Sequence, residues 1–281
     1  MPTEVAGRYV VYLATDVPGT ALRCEYAGGA IALPNEVKAQ IARHIDALRA
    51  KAAAEDREIR LEDRPIARLL GWHAEANYVT LRLGQTGYFH AIASATYRET
   101  WKPALQANAL AVSVVTRTAD GSVLLEQRSS RVAEYPGAYH VIPAGQVEPP
   151  NSPVDTVYAE LTEELALARP EVAEGRFLGI IQNVTNGKYE TIFGLEIQSA
   201  WNDARRGNAV DAWATDRVLA IPDTGERVGA WLLDHLDDMV PPGHAALLLY
   251  GRARYGKTWY EDMLKRLVAR EVAMPPGMLV E

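Results

Sequence analysis

Three glutamates carry the most legible chemistry in this chain. Glu160, Glu163 and Glu164 stand at i, i+3 and i+4 within Gly145 to Leu167, a spacing that gathers side chains on one face of an α-helix. Val154, Val157, Leu161, Leu165 and Ala168 fall on a separate apolar stripe. The spacing predicts a helix that buries one side and presents a carboxylate cluster beside it. Like charges one turn apart repel, so the cluster calls for a compensating cation. Hard oxygen ligands suit Mg²⁺, with Mn²⁺ as the alternative. An ion so held bridges to substrate phosphates, polarises a phosphoryl oxygen and activates water. A plain solvated acidic face fits the same three residues, and on the cluster alone it is the better reading, because such patterns are common on surfaces.

Other reactive patterns are weaker. Gly251 to Thr258, GRARYGKT, satisfies GxxxxGK[ST], but Arg252, Arg254 and Tyr255 are bulky for a loop whose amides must wrap phosphate, and few residues follow it. The six histidines include no HExxH and no close pair, so zinc-hydrolase chemistry has no support. Cys24 is the single cysteine, which excludes an intrachain disulfide and a thiolate zinc site.

The elements that must position the glutamates can be read outward from them. Ser152 caps the acidic helix, with Pro153 at its first position and Asp155 in its first turn; the helix is expected to reach about Ala168 and stop at Pro170. Before it, Ala109 to Thr116 and Ser122 to Gln127 read as strands joined by the turn Ala119-Asp120-Gly121. A short strand then enters the loop ending at Gly145. After the helix come strands at Phe177 to Gln182 and Thr191 to Ile197, then helices over Glu226 to Met239, around Ala245 to Tyr250, and over Tyr260 to Arg270. The first part reads as a smaller mixed unit, with strands at Arg8 to Ala14 and Ala21 to Tyr26, a helix from Glu36 capped by Asn35, and a strand at Tyr78 to Leu83 turning at Gly84 to Gly87. Trp101-Lys102-Pro103 marks the expected boundary, giving an N-terminal mixed α/β domain over 1–103 and a second domain over 104–281. The fold class is α/β (α+β), a mixed sheet sandwiched by helices.

Composition narrows the function classes. The 281 residues are 48% hydrophobic and 23% charged, with a formal net charge of −7, as in a globular protein with a sizeable core. An acidic chain is a poor nucleic-acid binder, although one phosphate-bearing ligand needs only a local basic pocket. Glu4, Arg8 and Asp16 interrupt any signal-peptide pattern and no apolar run reaches the length of a membrane span. The expected location is the cytoplasm, with no membrane partner.

The stretch from Gly145 to Leu167, GQVEPPNSPVDTVYAELTEELAL, resembles the Nudix box, G-x5-E-x7-R-E-U-x-E-E-x-G-U with U aliphatic. Gly145, Glu160, Leu161, Glu163, Glu164 and Leu167 match. Asn151 stands where the pattern has its first Glu, Ala159 where it has Arg, and Ala166 where it has its second Gly. The resemblance implies a Nudix α/β/α sandwich. It also implies that Glu160 and Glu164 ligate the metal, that Glu163 binds a further ion or acts on the attacking water, and that the Gly145 carbonyl completes the coordination. The departure at Asn151 puts in doubt any mechanism with a base there.

Three more segments, Leu81 to Tyr88 (LRLGQTGY), Arg128 to Gly137 (RSSRVAEYPG) and Pro143 to Pro149 (PAGQVEP), resemble a divergent Nudix group that hydrolyses UDP-glucose and UDP-galactose to UMP and sugar 1-phosphate. This implies that Arg128 holds the diphosphate, Tyr88 meets the nucleoside, Gln146 and Glu148 reach ribose or sugar hydroxyls, and His140 faces the ligand; Tyr250 is a weaker candidate of the same kind. Each also has a structural reading, as a strand-end arginine, a packing aromatic or a solvated loop residue. The expected activity is Mg²⁺-dependent hydrolysis of a nucleoside diphosphate linked to another group, with a small-molecule nucleotide as partner and a homodimer as an open expectation. A catalytically silent nucleotide sensor is the main alternative. An isopentenyl-diphosphate type isomerase ranks below both, because its cysteine has no counterpart near the box.

Overall fold

A computed structural model describes residues 2–202 and 207–273. Among them, strands β1 (Thr3–Val5), β2 (Tyr9–Pro18), β6 (Leu110–Arg117), β7 (Ser122–Arg128), β8 (Tyr139–Val141), β9 (Ala144–Gln146), β10 (Arg176–Asn183), β11 (Tyr189–Glu196) and β12 (Thr215–Pro222) form a nine-stranded sheet. Its order is β1-β2-β10-β11-β6-β7-β12, with β8 on β7 and β9 on β6. The sheet is mixed: β11 and β6 run parallel, from Tyr189 opposite Leu110 to Glu196 opposite Arg117, and the other pairs are antiparallel. Strands β3 (Leu22–Ala30), β4 (Pro65–Ala74) and β5 (Val79–Gly87) make a second, three-stranded sheet in the order β3-β5-β4, accompanied by helices α1 (Asn35–Ala54) and α2 (Tyr88–Thr96).

The period-two strands show the large sheet apolar on both faces, so each face needs cover. On one, Val112, Val114 and Phe193 pack against Val157, Leu161 and Leu165 of α3 (Pro153–Leu165), and Leu69, Leu81 and Leu83 of the small sheet join the same cluster. On the other, Val115, Leu125, Ile181 and Ile192 meet Leu232 of α4 (Gly225–Asp234), Leu247 and Leu248 of α5 (Pro241–Tyr255) and Met263 of α6 (Lys257–Ala273). The result is a mixed α/β fold with helices on both faces of its main sheet, as the order of elements implies. Among the described residues, no helix is long and apolar enough to cross a membrane.

The two sheets do not divide cleanly at residue 103. β1 and β2 lie in the large sheet beside β10. The small sheet is stitched to the large one by Ala67 N–H donating to Val147 O (2.7 Å) and Leu69 N–H to Asn108 O (2.9 Å). The sequence reading also missed β4 and α2. The turn expected at Gly84 to Gly87 is the continuation of β5, because β5 is paired on both sides.

Candidate active site

Helix α3 begins as its sequence demands. Ser152 Oγ accepts from Asp155 N–H (3.2 Å), and Asp155 Oδ2 accepts from Ser152 N–H (3.0 Å), a reciprocal cap with Pro153 at the first helical position. The helix ends three residues before the expected Ala168, at Leu165, because Ala166 turns into the left-handed region at φ 53° and ψ 37°. Pro153, Val157, Leu161 and Leu165 are buried against the sheet, and this turns the Glu160, Glu163 and Glu164 side toward a cleft of about 310 Å³.

The floor of the cleft is the strand pair β6–β9. Gly145 sits opposite Val112, and a Cβ there would fall on the Glu160 carboxylate, so only glycine allows that carboxylate its place. Glu164 is half-buried, and its Oε2 accepts from Ala144 N–H at 3.2 Å. Burial, then Glu163 and Asp211, pushes the Glu160 carboxyl up to about 8. Glu163 is raised by burial and by Asp211, whose N–H is held on the Glu163 carbonyl (2.8 Å). Glu164 is raised well above the carboxylate range by burial, then by Glu126 and Glu160. Three carboxyls that resist ionising together are a donor set for a cation: a divalent ion would restore their charge. Among the described residues, no three acidic or imidazole groups are already gathered closely enough to hold an ion. The all-oxygen chemistry and the Gly145 cradle fit Mg²⁺ or Mn²⁺, with Glu160, Glu163 and Glu164 as the holders.

Cations line the same cleft. Arg128 bonds Glu126 through Nη1 (3.5 Å) and the Glu134 carbonyl through Nε (3.3 Å). Lys188 is paired with Glu134, which also accepts from Asn186 Nδ2 (3.4 Å). Burial would raise the Glu134 carboxyl, but Lys188 outweighs it and holds it below the ordinary range. Arg64 bonds Glu148 at 2.6 Å and lies over the Tyr88 ring, with its guanidinium carbon 5.5 Å from the centroid. Glu190 is buried in the wall, accepts from Ser113 Oγ, and is pushed by burial up to about 7. His140 is buried, and burial and then Arg128 push it down to about 3, which leaves it neutral at neutral pH. The Gln146 carbonyl oxygen is buried with no partner, a place for a ligand's hydrogen bond.

The fold therefore brings Tyr88, Arg128, His140, Gly145, Gln146, Glu148, Glu160, Glu163 and Glu164 to one cleft. Tyr250 is a correction. It does not line that cleft; its hydroxyl donates to Asp223 Oδ1 (2.9 Å) in a separate depression beside Arg117 and Arg254, because α5 carries it to the far end of the sheet face. Sequence reasoning missed Arg64, Glu134, Lys188, Glu190 and Asp211, which also line the cleft. Of these, only Glu134 lay in a stretch already singled out; the others sit in no local pattern. Asn151 and Ala159, the two departures from the box, also line it. Cys24 lies elsewhere, in β3, half-buried and with its thiol pushed up to about 12 by burial, so it offers no nucleophile or acid to this cleft.

A carboxylate-bearing helix that follows a glycine strand thus faces Arg64, Arg128 and Lys188 across one cleft. The comparisons agree at the level of the domain. Residues 107–210 match the family model described as the NUDIX domain. No curated protein matches the chain. Similar solved structures include a Deinococcus radiodurans protein (18% identity, 50% of this chain and 81% of that one, TM-score 0.38). A nudix hydrolase family member from Chromobacterium violaceum (18% identity, 59% and 91%, TM-score 0.36) and a Nudix hydrolase from M. smegmatis (11% identity, 53% and 87%, TM-score 0.37) are also similar.

Proposed function

We propose that the chain hydrolyses the diphosphate bond of a nucleoside diphosphate linked to a second group, most specifically a UDP-sugar, releasing UMP and sugar 1-phosphate. The carrying observation is that Glu160, Glu163 and Glu164 face the same cleft as Arg64, Arg128 and Lys188. Carboxylates to hold Mg²⁺ thus lie beside cations that can take phosphate oxygens. The bound ion would supply Lewis-acid polarisation of a phosphoryl oxygen and activation of a water.

The chain's own residues do the rest. Arg128, Lys188 and Arg64 neutralise and orient the diphosphate, and positioning and charge stabilisation dominate a step of this kind. Neutral His140 and the Gln146 amide offer hydrogen bonds without adding charge. Tyr88, whose phenol is raised by burial, presents an aromatic wall to the nucleoside or sugar. A small nucleotide is accordingly the partner. We further propose that the protein works in the cytoplasm and that a homodimer is its assembly, as is frequent in the group it resembles.

The test is turnover of UDP-glucose, UDP-galactose, ADP-ribose, NADH, a dinucleoside polyphosphate and nucleoside triphosphates with Mg²⁺ and an EDTA control. UMP from UDP-sugars only supports the full reading. Hydrolysis of another compound keeps the reaction and removes the UDP-sugar. The second reading, a silent nucleotide sensor, is favoured by Asn151 and Ala159 at two box positions on the cleft wall; tight nucleotide binding with no turnover would establish it.

A further inference from the structure

Residues 57–64, between α1 and β4, carry Arg57, Arg60 and Arg64 and no helix or strand. Two of these arginines hold the segment against the larger unit. Arg57 Nη1 donates to the carbonyls of Ser130 and Val132 (3.3 Å each). The Arg60 guanidinium lies 4.4 Å from the centre of the Trp213 ring, and that residue is itself fixed by its indole N–H on Asp211 Oδ1 (2.8 Å) and by Arg131 on its carbonyl (2.8 Å). The third arginine is aimed into the cleft. Its main chain is pinned to the first turn of α2: Tyr88 N–H donates to Arg64 O (2.9 Å), and Phe89 N–H donates to Asp63 Oδ1 (3.0 Å).

The Arg64 side chain differs from the other cations of the cleft in how it is committed. The Lys188 side chain is 5% exposed and the Arg128 side chain 21%; Lys188 already holds the half-buried Glu134 and Arg128 the buried Glu126. The Arg64 side chain is 51% exposed; it bonds Glu148 through Nε, and its two Nη atoms have no hydrogen-bond partner among the described residues. Its charge reaches Glu160 and Glu163, where it favours the ionised forms. A guanidinium with one edge anchored and the other open is a fork for two oxygens of a phosphoryl group.

We propose that Arg64 is a phosphate-binding residue, and that the part of the chain before the NUDIX domain completes the site by supplying it. This deepens the diphosphate reading of the cleft and rests on it. The open Nη edge takes non-bridging oxygens of the diphosphate, while Glu148 and the Tyr88 ring hold the guanidinium plane.

The experiment is calorimetric titration of the full chain with inorganic pyrophosphate in the presence of Mg²⁺, with melting curves to check folding. Arg64→Ala is expected to weaken pyrophosphate binding by about 10- to 100-fold, the worth of a charge-assisted hydrogen-bond pair. Arg64→Lys should recover only part of the loss, because a point charge lacks the fork. Arg60→Ala loosens the same segment without removing a donor from the cleft and should retain the wild-type affinity. Unchanged binding in Arg64→Ala, an equal loss in Arg60→Ala, or no pyrophosphate binding by the wild type would each overturn the proposal. Pyrophosphate binding through Arg64 in a protein that hydrolyses none of the nucleotide panel would leave Arg64 in place and remove the hydrolase reading.

Discussion

At Gly145 the main chain runs so close to the Glu160 carboxylate that the two cannot both keep their places once a Cβ is added. Gly145→Ala is therefore expected to displace Glu160. Because the clash meets the end of a flexible side chain, stability should change little while most of the activity is lost, measured by denaturant melts and turnover side by side. Full activity in a folded variant would separate Glu160 from the reaction. Glu164 makes a sharper case because its carboxylate is half-buried and bonded to Ala144 N–H. Glu164→Gln keeps the shape and a hydrogen-bonding end group while removing the charge that would hold a cation, so turnover should fall by at least about 100-fold with the melting temperature unchanged or raised. Retained turnover would remove Glu164 from the metal site. These residues were legible because i, i+3, i+4 spacing is a local property of the chain. Lys188, Glu190 and Asp211 were not, since each reaches the cleft only through strand pairing or a loop contact.

Helix α3 shows how an element keeps its function while its ending departs from the pattern it resembles. Ala166 occupies the left-handed C-terminal position at φ 53°, where a Cβ is strained and glycine is not. Ala166→Gly should accordingly stabilise the protein by about 1 kcal/mol, seen as a higher melting temperature; destabilisation would show that its methyl group contributes packing that outweighs the strain. At the other end, Ser152→Ala removes the acceptor for Asp155 N–H and should cost about 1 kcal/mol. The same scale settles the P-loop-like octad. Gly251 lies inside α5, where a Cβ would run into the Trp259 ring, and Gly256, at φ 95°, turns the chain from α5 into α6. Its glycines serve helix packing and a bend, not phosphate.

For the whole molecule, the cleft concentrates carboxyls away from water and makes stability depend on pH. Glu190 has a folded-state value raised to about 7 by burial, above its ordinary 4.5. A raised acid contributes stability that is fully present below the ordinary value and is lost as pH rises through the folded one. The contribution should therefore fall between about pH 4.5 and about pH 7, by an amount on the order of 3 kcal/mol. Glu190→Gln should flatten this slope, as read from denaturant midpoints at about pH 5 and about pH 8. An equal slope in both proteins would place the pH dependence elsewhere.

The acidic helix, its cap and the hairpin before it were determined by the sequence alone, because periodicity, capping and turn chemistry act between residues a few positions apart. Helices on both faces of a mixed sheet also followed, from the order of elements and the apolar patterning. Strand partners did not. β2 joins β10, with Tyr9 opposite Asn183, and no local signal records that pairing. It makes the first strands part of the large sheet, although β3, β4 and β5 form a sheet of their own. Tertiary structure likewise decided that Tyr250 serves Asp223 rather than the cleft, and that Arg64 meets Glu148 across a sequence separation no pattern spans. The physical reason is common to all three. Long-range contacts are chosen by which buried surfaces fit together once every element is in place, and that choice is a property of the assembled core rather than of any segment.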